Sequence, residues 1–260
     1  MTDVMLKVDS LRVRYGGNVA IDGLTFDMQP AGQLSVIGPN GAGKSTLLNA
    51  LSGLVRPDRG SVIFMGHDLL GVPSHARAQL GIARTFQHSE LFSGLTVFDQ
   101  LLCGAAARLG YGLIACLLRL PHAHARERAL ELNVWSMLER LGISAFAEKK
   151  TEELPGPTRR LVDLGRALIL EPALLLLDEV GAGLTDGEKT RVVAILNDER
   201  ARRKTAMIVI EHDLEFVRAL TDTTVVLAHG RMIAAGSTAE VLDRPEVLEA
   251  YVGAALEPAS

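Results

Sequence analysis

The chain has 260 residues, 48% of them apolar, with 27 Lys and Arg against 31 Asp and Glu. That length allows one large or two small domains with a sizeable core, and that composition excludes a disordered chain. A net charge of −4 without a basic tail is poor material for sequence-independent nucleic-acid binding, which depends on neutralising phosphates.

Met1 to Lys7 lacks the basic start and apolar run of a signal peptide. Met5 to Phe26 then alternates apolar and polar residues around Gly16-Gly17-Asn18, predicting an antiparallel hairpin that Ser61 to Phe64 continues. Gln33 to Ile37 reads as a buried strand. Lys44 to Leu54 reads as a helix with Leu47, Leu48, Leu51 and Leu54 on one face. Between them, Gly38-Pro39-Asn40-Gly41-Ala42-Gly43-Lys44-Ser45-Thr46 matches the phosphate-cradling pattern G-x-x-x-x-G-K-[ST]. Its glycines let successive N–H groups turn inward as an anion nest, and the helix start adds partial positive charge. Lys44 reaches the terminal phosphates and the Ser45 hydroxyl ligates Mg²⁺.

From about Asp99 to Leu141 the pattern is helical, with Leu130, Val134, Met137, Leu138 and Leu141 at helix spacing. Leu101 to Leu120 is apolar enough to raise the question of a membrane span. Arg108 near its middle costs about 2.5–3.5 kcal/mol on insertion scales, so it reads as amphipathic surface helix and loop. Cys103 and Cys116 read as small, reduced core residues. Pro155 and Pro157 interrupt the chain before a helix over Arg159 to Leu170. Three strand–helix units follow, starting with Ala173–Leu177, Ala206–Ile210 and Val225–Leu227. Ser237-Thr238-Ala239-Glu240 is a capping-box pattern, Pro245 suits a first turn and Gly253 a stop. This order predicts an α/β fold: a parallel-containing sheet covered on both faces, with a helical insert.

Two strand ends carry further chemistry. Leu174 to Leu177 run into Asp178 and Glu179, placing two acids at the sheet's carboxyl edge, where open α/β sheets bind ligands. Asp178 is placed to hold Mg²⁺ through its water shell. Glu179, pointing to a different side, would polarise an attacking water. By itself such a pair reads as a strand end turning polar; beside the phosphate loop it reads as functional. Ile208-Val209-Ile210 ends likewise in Glu211-His212-Asp213, where His212 could bond the γ-phosphate or its water. His67, His75, His88, His122, His124 and His229 are left as surface or loop residues.

With these residues the chain resembles the ATP-binding-cassette (ABC) transporter ATPases over nearly all its length. Tyr15 falls where that family stacks an aromatic ring on adenine. Gln87, in Arg84-Thr85-Phe86-Gln87, falls at its Q-loop, which senses Mg²⁺ and the transmembrane partner. Ala182-Gly183-Leu184 falls at its D-loop and His212 at its switch histidine. Gly81 to Gln87, the helical insert, Ala182-Gly183-Leu184 and the ending Val247-Leu248-Glu249-Ala250-Tyr251-Val252-Gly253 resemble more narrowly the ATPases of branched-chain amino-acid and urea-type importers.

The resemblance implies a P-loop NTPase (RecA-like) core with an antiparallel β subdomain and a helical subdomain. One cassette domain would cover 1–260, with core at about 1–98 and 160–260 and the helical part at about 99–159. It implies ATP and Mg²⁺ as cofactors, with Glu179, His212 and Lys44 in catalysis and Tyr15, Gln87 and the stretch Gly38 to Thr46 at the nucleotide. Ser45, Gln87 and Asp178 would hold the metal. It also implies a second cassette subunit, permease subunits, a solute-binding protein acting through them, no nucleic acid, and a peripheral place on the cytoplasmic face of the membrane. The apolar face between Gly104 and Leu120, with Leu113 and Leu117, is expected to dock on the permeases.

The family's signature is leucine-serine-glycine-glycine-glutamine; here the aligned residues are Leu154-Pro155-Gly156-Pro157-Thr158. Pro155 and Pro157 have no N–H to aim at the opposite subunit's γ-phosphate, and the serine hydroxyl is gone. Gly156 and the helix start remain, and Thr158 offers a hydroxyl. Val180 replaces the proline after the acidic pair and Thr185 the D-loop aspartate, the latter a minor change. The double proline beside intact phosphate-binding residues favours a heterodimer over a homodimer. The alternatives are a weakened cassette serving as a nucleotide-gated partner, or a soluble non-transport ABC ATPase.

Overall fold

The computed structural model describes residues 4–86, 91–108 and 123–244. Strands β1 (Leu6–Tyr15) and β2 (Asn18–Met28) form the expected antiparallel hairpin, turned at Gly16-Gly17. Strand β3 (Gln33–Ile37) leads through the glycine-rich loop into helix α1 (Lys44–Ser52). Strand β4 (Arg59–Phe64) pairs back on β1, and β5 (His67–Asp68) on β4. Helix α2 (Ser74–Arg77) and strand β6 (Ile82–Arg84) follow, then helices α3 (Val97–Arg108), α4 (Ala123–Leu141) and α5 (Gly156–Leu168). The rest alternates: β7 (Leu174–Asp178), α6 (Asp186–Arg203), β8 (Ala206–Ile210), α7 (Leu214–Leu220), β9 (Thr223–Ala228), β10 (Arg231–Ser237) and α8 (Thr238–Leu242).

These strands make two sheets, one in the order β2-β1-β4-β5 and one in the order β10-β9-β3-β8-β7-β6. From β9 to β6 the second sheet is parallel. Successive side chains of a strand point to opposite faces, so the unbroken apolar runs of β7 and β8 serve two cores. Leu174, Leu176, Ile208 and Ile210 pack with Leu47, Leu48 and Leu51 of α1 and with Leu11 and Ile21 of the hairpin. Leu175, Leu177, Met207 and Val209 pack instead with Leu101 of α3, Val134 and Leu138 of α4, and Leu164 of α5. The α4 spacing holds: Val134, Met137, Leu138 and Leu141 are buried, with Leu130 packed against them.

Several expectations need correction. Helix α1 ends at Ser52, because Gly53 adopts a left-handed φ of 81°. Leu54 is thereby carried off the apolar face and is 54% exposed. Helix α5 starts at Gly156 rather than Arg159; Pro157 lies in its first turn, where its missing N–H has no helical acceptor to lose. The third strand unit has no helix directly after it: β9 turns back into the antiparallel strand β10. Ile82–Arg84, noted only as part of a motif, is the edge strand β6. Cys103 is exposed, since the buried stripe of α3 runs through Val97, Leu101 and Ala105. Cys116, Leu113, Leu117, Pro245 and the ending Val247–Gly253 lie outside the described residues, whereas Ser237 caps α8 through the N–H of Glu240. Among the described residues no helix is long and apolar enough to cross a membrane.

Arg77 closes the far end of α1. Its Nη1 donates to the carbonyls of Ala50 (2.6 Å) and Leu51 (2.7 Å), its Nη2 to Leu69 and its Nε to Val72. A buried cation thus meets carbonyls of the last helical turn, reinforcing that of Ala50, which already accepts from the Gly53 N–H at 3.3 Å. Arg77→Met should strip these carbonyls of their charged donor, Ala50 and Leu69 keeping only the N–H groups of Gly53 and Val72, and lower stability by about 2–4 kcal/mol in urea unfolding.

Candidate nucleotide site

Strand β8 lies between β3 and β7, parallel to both, so their carboxyl ends share one edge of the sheet. That adjacency gathers the loop after Ile37, the acids at Asp178–Glu179 and the residues after Ile210. A cavity of about 380 Å³ opens there, lined by the loop from Asn40 to Thr46, by Asn18, Val19 and Ala20 of β2, and by Glu179, His229 and Gly230.

Two glycines let the loop take this path. Gly38, at φ 147°, leaves no room for a Cβ, which would collide with the carbonyl of Leu227. Gly43, at φ 104°, would set a Cβ 2.5 Å from the carbonyl of Ala20. Gly43 also stands as the N-cap of α1, which has no side-chain cap, so the first-turn N–H groups keep their capacity for an anion. Ala42 is pinned from both sides, its N–H on the Pro39 carbonyl and its own carbonyl accepting from Gly230.

Lys44 is buried and donates from Nζ to the carbonyls of Gly38 (2.6 Å) and Pro39 (2.9 Å). This leaves a third donor of the ammonium. Burial lowers its pKa, opposed by the charges of Glu179 and Asp178. Asp178 is buried, and burial raises its carboxyl, opposed chiefly by Arg84, whose Nη2 lies 3.0 Å from Oδ2. Glu179 leaves the strand with a left-handed φ of 52° and is held by its N–H on the Ile210 carbonyl (2.9 Å). That reversal separates the two acids as expected: Glu179 faces the cavity, and Asp178 is not among its lining residues. His212 Nε2 stands 3.2 Å from Glu179 Oε1. Tyr15 is 48% exposed at the end of β1, paired with the cavity residue Asn18, without lining the cavity itself. Gln87 lies outside the described residues.

The residues present fit a hard divalent cation. Among the described residues Asp178 Oδ1 has no hydrogen-bond partner although it is buried, an acceptor that a cation's water shell would satisfy. Among the described residues no three His, Cys, Asp or Glu side chains form a cage. A cation here would take most of its ligands from phosphate and water, as Mg²⁺ does.

The family described as ABC transporter matches residues 21–182. The chain belongs to the ABC transporter family. It is 33% identical over 256 residues to the high-affinity branched-chain amino acid transport ATP-binding protein LivG of Escherichia coli K12, covering 98% of this chain and 100% of that one. BraF of Pseudomonas aeruginosa, of the same description, is 32% identical over 255 residues with the same coverage. Among solved structures, the ADP conformation of an ATP-binding cassette of an ABC transporter matches with a TM-score of 0.80 at 30% identity, covering 97% of this chain and 100% of that one. A nucleotide-free cassette matches with the same TM-score at 29% identity, covering 95% of this chain and 98% of that one. The expected P-loop NTPase fold is therefore present.

Against this family's pattern, the signature segment sits at the start of α5. Pro155 and Gly156 are exposed, Pro157 is half-buried and Thr158 is buried. Thr158 is therefore not the surface hydroxyl that its position promised. Arg160 Nη1 donates to the D-loop carbonyl of Ala182 at 2.6 Å, tying this helix to the turn after Glu179. Thr185 is the N-cap of α6 in a capping box with Glu188, a pattern (T-x-x-E) legible in the sequence.

Several residues at this sheet edge escaped sequence reasoning. His229 and Asn18 line the cavity because the β9–β10 turn and β2 fold against the loop, which no local signal announces. Glu211 had the strand-end signal that singled out His212. It is buried, and its Oε1 accepts from the N–H of Gly181 at 2.6 Å. Burial pushes its carboxyl from 4.5 up to about 7, against the N–H groups of Gly181 and His212. Because the folded chain holds this proton more tightly than the unfolded chain, the group favours folding below pH about 4.5, and that contribution is lost as pH rises to about 7. Wild type should therefore lose up to about 3 kcal/mol relative to Glu211→Gln across that window, read as urea midpoints at several pH values. Parallel curves would contradict the assignment.

Proposed function

We infer that this chain is the ATP-hydrolysing subunit that powers a membrane solute importer. What carries the reading is the meeting, at one sheet edge, of an uncapped helix start, a buried lysine anchored to the phosphate loop, and the two acids and histidine at the ends of β7 and β8. The stretch Gly38 to Thr46 grips the triphosphate through main-chain amides, and Lys44 meets the terminal phosphates. Tyr15 stacks on the base. Ser45, Gln87 and, through water, Asp178 would hold Mg²⁺, which would supply positive charge to the phosphates. Glu179 orients and deprotonates the attacking water, and His212, hydrogen-bonded to Glu179, positions the γ-phosphate.

The chain is read as one cassette domain over residues 1–260, with about 99–159 as its helical part. It sits peripherally on the cytoplasmic face of the membrane against permease subunits, and a binding protein delivers the solute to those. Branched-chain amino acids or a related small polar solute are the cargo, a reading supported by the descriptions of LivG and BraF.

The partner cassette is a different chain. Support comes from Pro155 and Pro157, which leave Gly156 as the exposed N–H donor of the signature, and from the burial of Thr158. Charge-assisted hydrogen bonds are worth about 1.5–3 kcal/mol each. The site that borrows this segment is therefore weak, and the other site turns over. The same segment keeps a second reading in view, a nucleotide-gated partner without turnover of its own.

Glu179→Gln should reduce turnover of the assembled complex at least about 100-fold while Mg-ATP affinity holds; Lys44→Ala should lose that affinity. Equal turnover for wild type and Glu179→Gln would leave the gated-partner reading. The complex isolated in mild detergent should contain one copy of this chain beside a second cassette. A homodimer with two equivalent turnover sites would remove the asymmetric account.

A further inference from the structure

The carboxylate of Asp178 is held from one side. Its Oδ2 accepts from Arg84 Nη2 at 3.0 Å, while Oδ1 is buried and has no hydrogen-bond partner among the described residues. The main chain is held as well, the Asp178 N–H donating to Thr85 Oγ1 at 3.1 Å. Arg84 is itself fixed by a second element. Its Nη1 donates to Asn49 Oδ1 at 2.7 Å and to Ser52 Oγ at 3.0 Å, both on α1. Its guanidinium carbon stands 5.0 Å from the centre of the Phe86 ring. A planar guanidinium carries its donors on separate nitrogens in a fixed fork and so reaches acceptors on two elements, whereas a lysine's donors all radiate from one nitrogen. Helix α1 begins at Lys44 and Ser45, and β6 lies beside β7 with Arg84 opposite Leu176. Arg84 therefore connects the helix that starts at the phosphate loop to the strand that ends in Asp178.

We propose that Arg84 is a positioning residue: by holding Asp178 Oδ2 against α1, it keeps Oδ1 in one orientation relative to Ser45. The proposal rests on reading Asp178 and Ser45 as the Mg²⁺ side of the nucleotide site. Arg84 acts on that site through Asp178. Two of its three holding contacts outside the carboxylate lie on the same helix as Ser45, so carboxylate and hydroxyl share one rigid frame.

The test is calorimetric binding of ADP to the full chain, with and without Mg²⁺, in wild type, Arg84→Lys and Asn49→Ala. Metal-free ADP affinity, which draws on loop amides and Lys44, should stay within about twofold in all three. The gain in affinity on adding Mg²⁺ should fall about tenfold in Arg84→Lys and by a smaller factor in Asn49→Ala, which leaves Nη1 held on α1 by Ser52 Oγ alone. Asn49→Ala should melt close to wild type, so its loss cannot be ascribed to unfolding. If the Mg²⁺ gain survives in both variants, with or without a lowered melting temperature, Arg84 is a packing residue and the proposal is overturned. A wild-type chain with no Mg²⁺ gain would sink the functional reading beneath it, a failure seen before any substitution is made.

Discussion

A helix whose first-turn N–H groups receive no side-chain cap must give them to water or to an anion, and α1 begins in this state at Gly43. The surroundings are organised around keeping that start rigid and accessible. Gly38 and Gly43 let the loop pass the carbonyls of Leu227 and Ala20 at distances no other residue tolerates. Gly230 donates to Ala42 from the β9–β10 turn, and Arg77 satisfies the opposite end of the helix. Both sheets pack on this one short helix, so the anion site is backed by a continuous core.

Charge is arranged in depth behind the helix start. Lys44 and Arg84 are both buried cations, and Asp178 is the buried anion common to their surroundings. Neither cation has an ordinary solvent shell, so each is held by named acceptors: two loop carbonyls for Lys44, and two α1 side chains plus a carboxylate for Arg84. Fixed dipoles of this kind need little reorganisation when charge changes in front of them. The neighbouring Phe86 N–H is held by Asp163 of α5 at 2.8 Å, so the segment leading to Gln87 touches the helix that starts in the signature. The two ends of the family's catalytic pattern thus meet mechanically within one chain.

The signature segment sets this cassette apart from its family's pattern. Proline at the N-cap and in the first turn suits helix geometry, since φ near −60° is what those positions need. The fold therefore tolerates Pro155 and Pro157 without strain. What they remove is outward hydrogen-bonding capacity, which the chain's own fold does not use. Under the proposed pairing of two unlike cassettes, that loss would fall on the shared site alone.

Much was legible locally. Alternation marked β1 and β2, four-residue spacing marked α4, and the glycine-rich loop announced itself, because each is a property of consecutive residues. Leu54 was misjudged because one left-handed glycine outweighed the apolar spacing, and Cys103 because small apolar residues pack on either side of a helix stripe. His229, Asn18 and Arg84 were not legible, since each acts through residues distant in sequence: Arg84 meets Asp178 across 94 positions. By itself the sequence determined the anion-binding loop, the acids and histidine at strand ends, and the family, because their chemistry depends on residue type at short spacing. Only the tertiary structure decided which carboxylate faces the cavity, what restrains the other, and which turn closes the wall, because strand order and register bring those groups together.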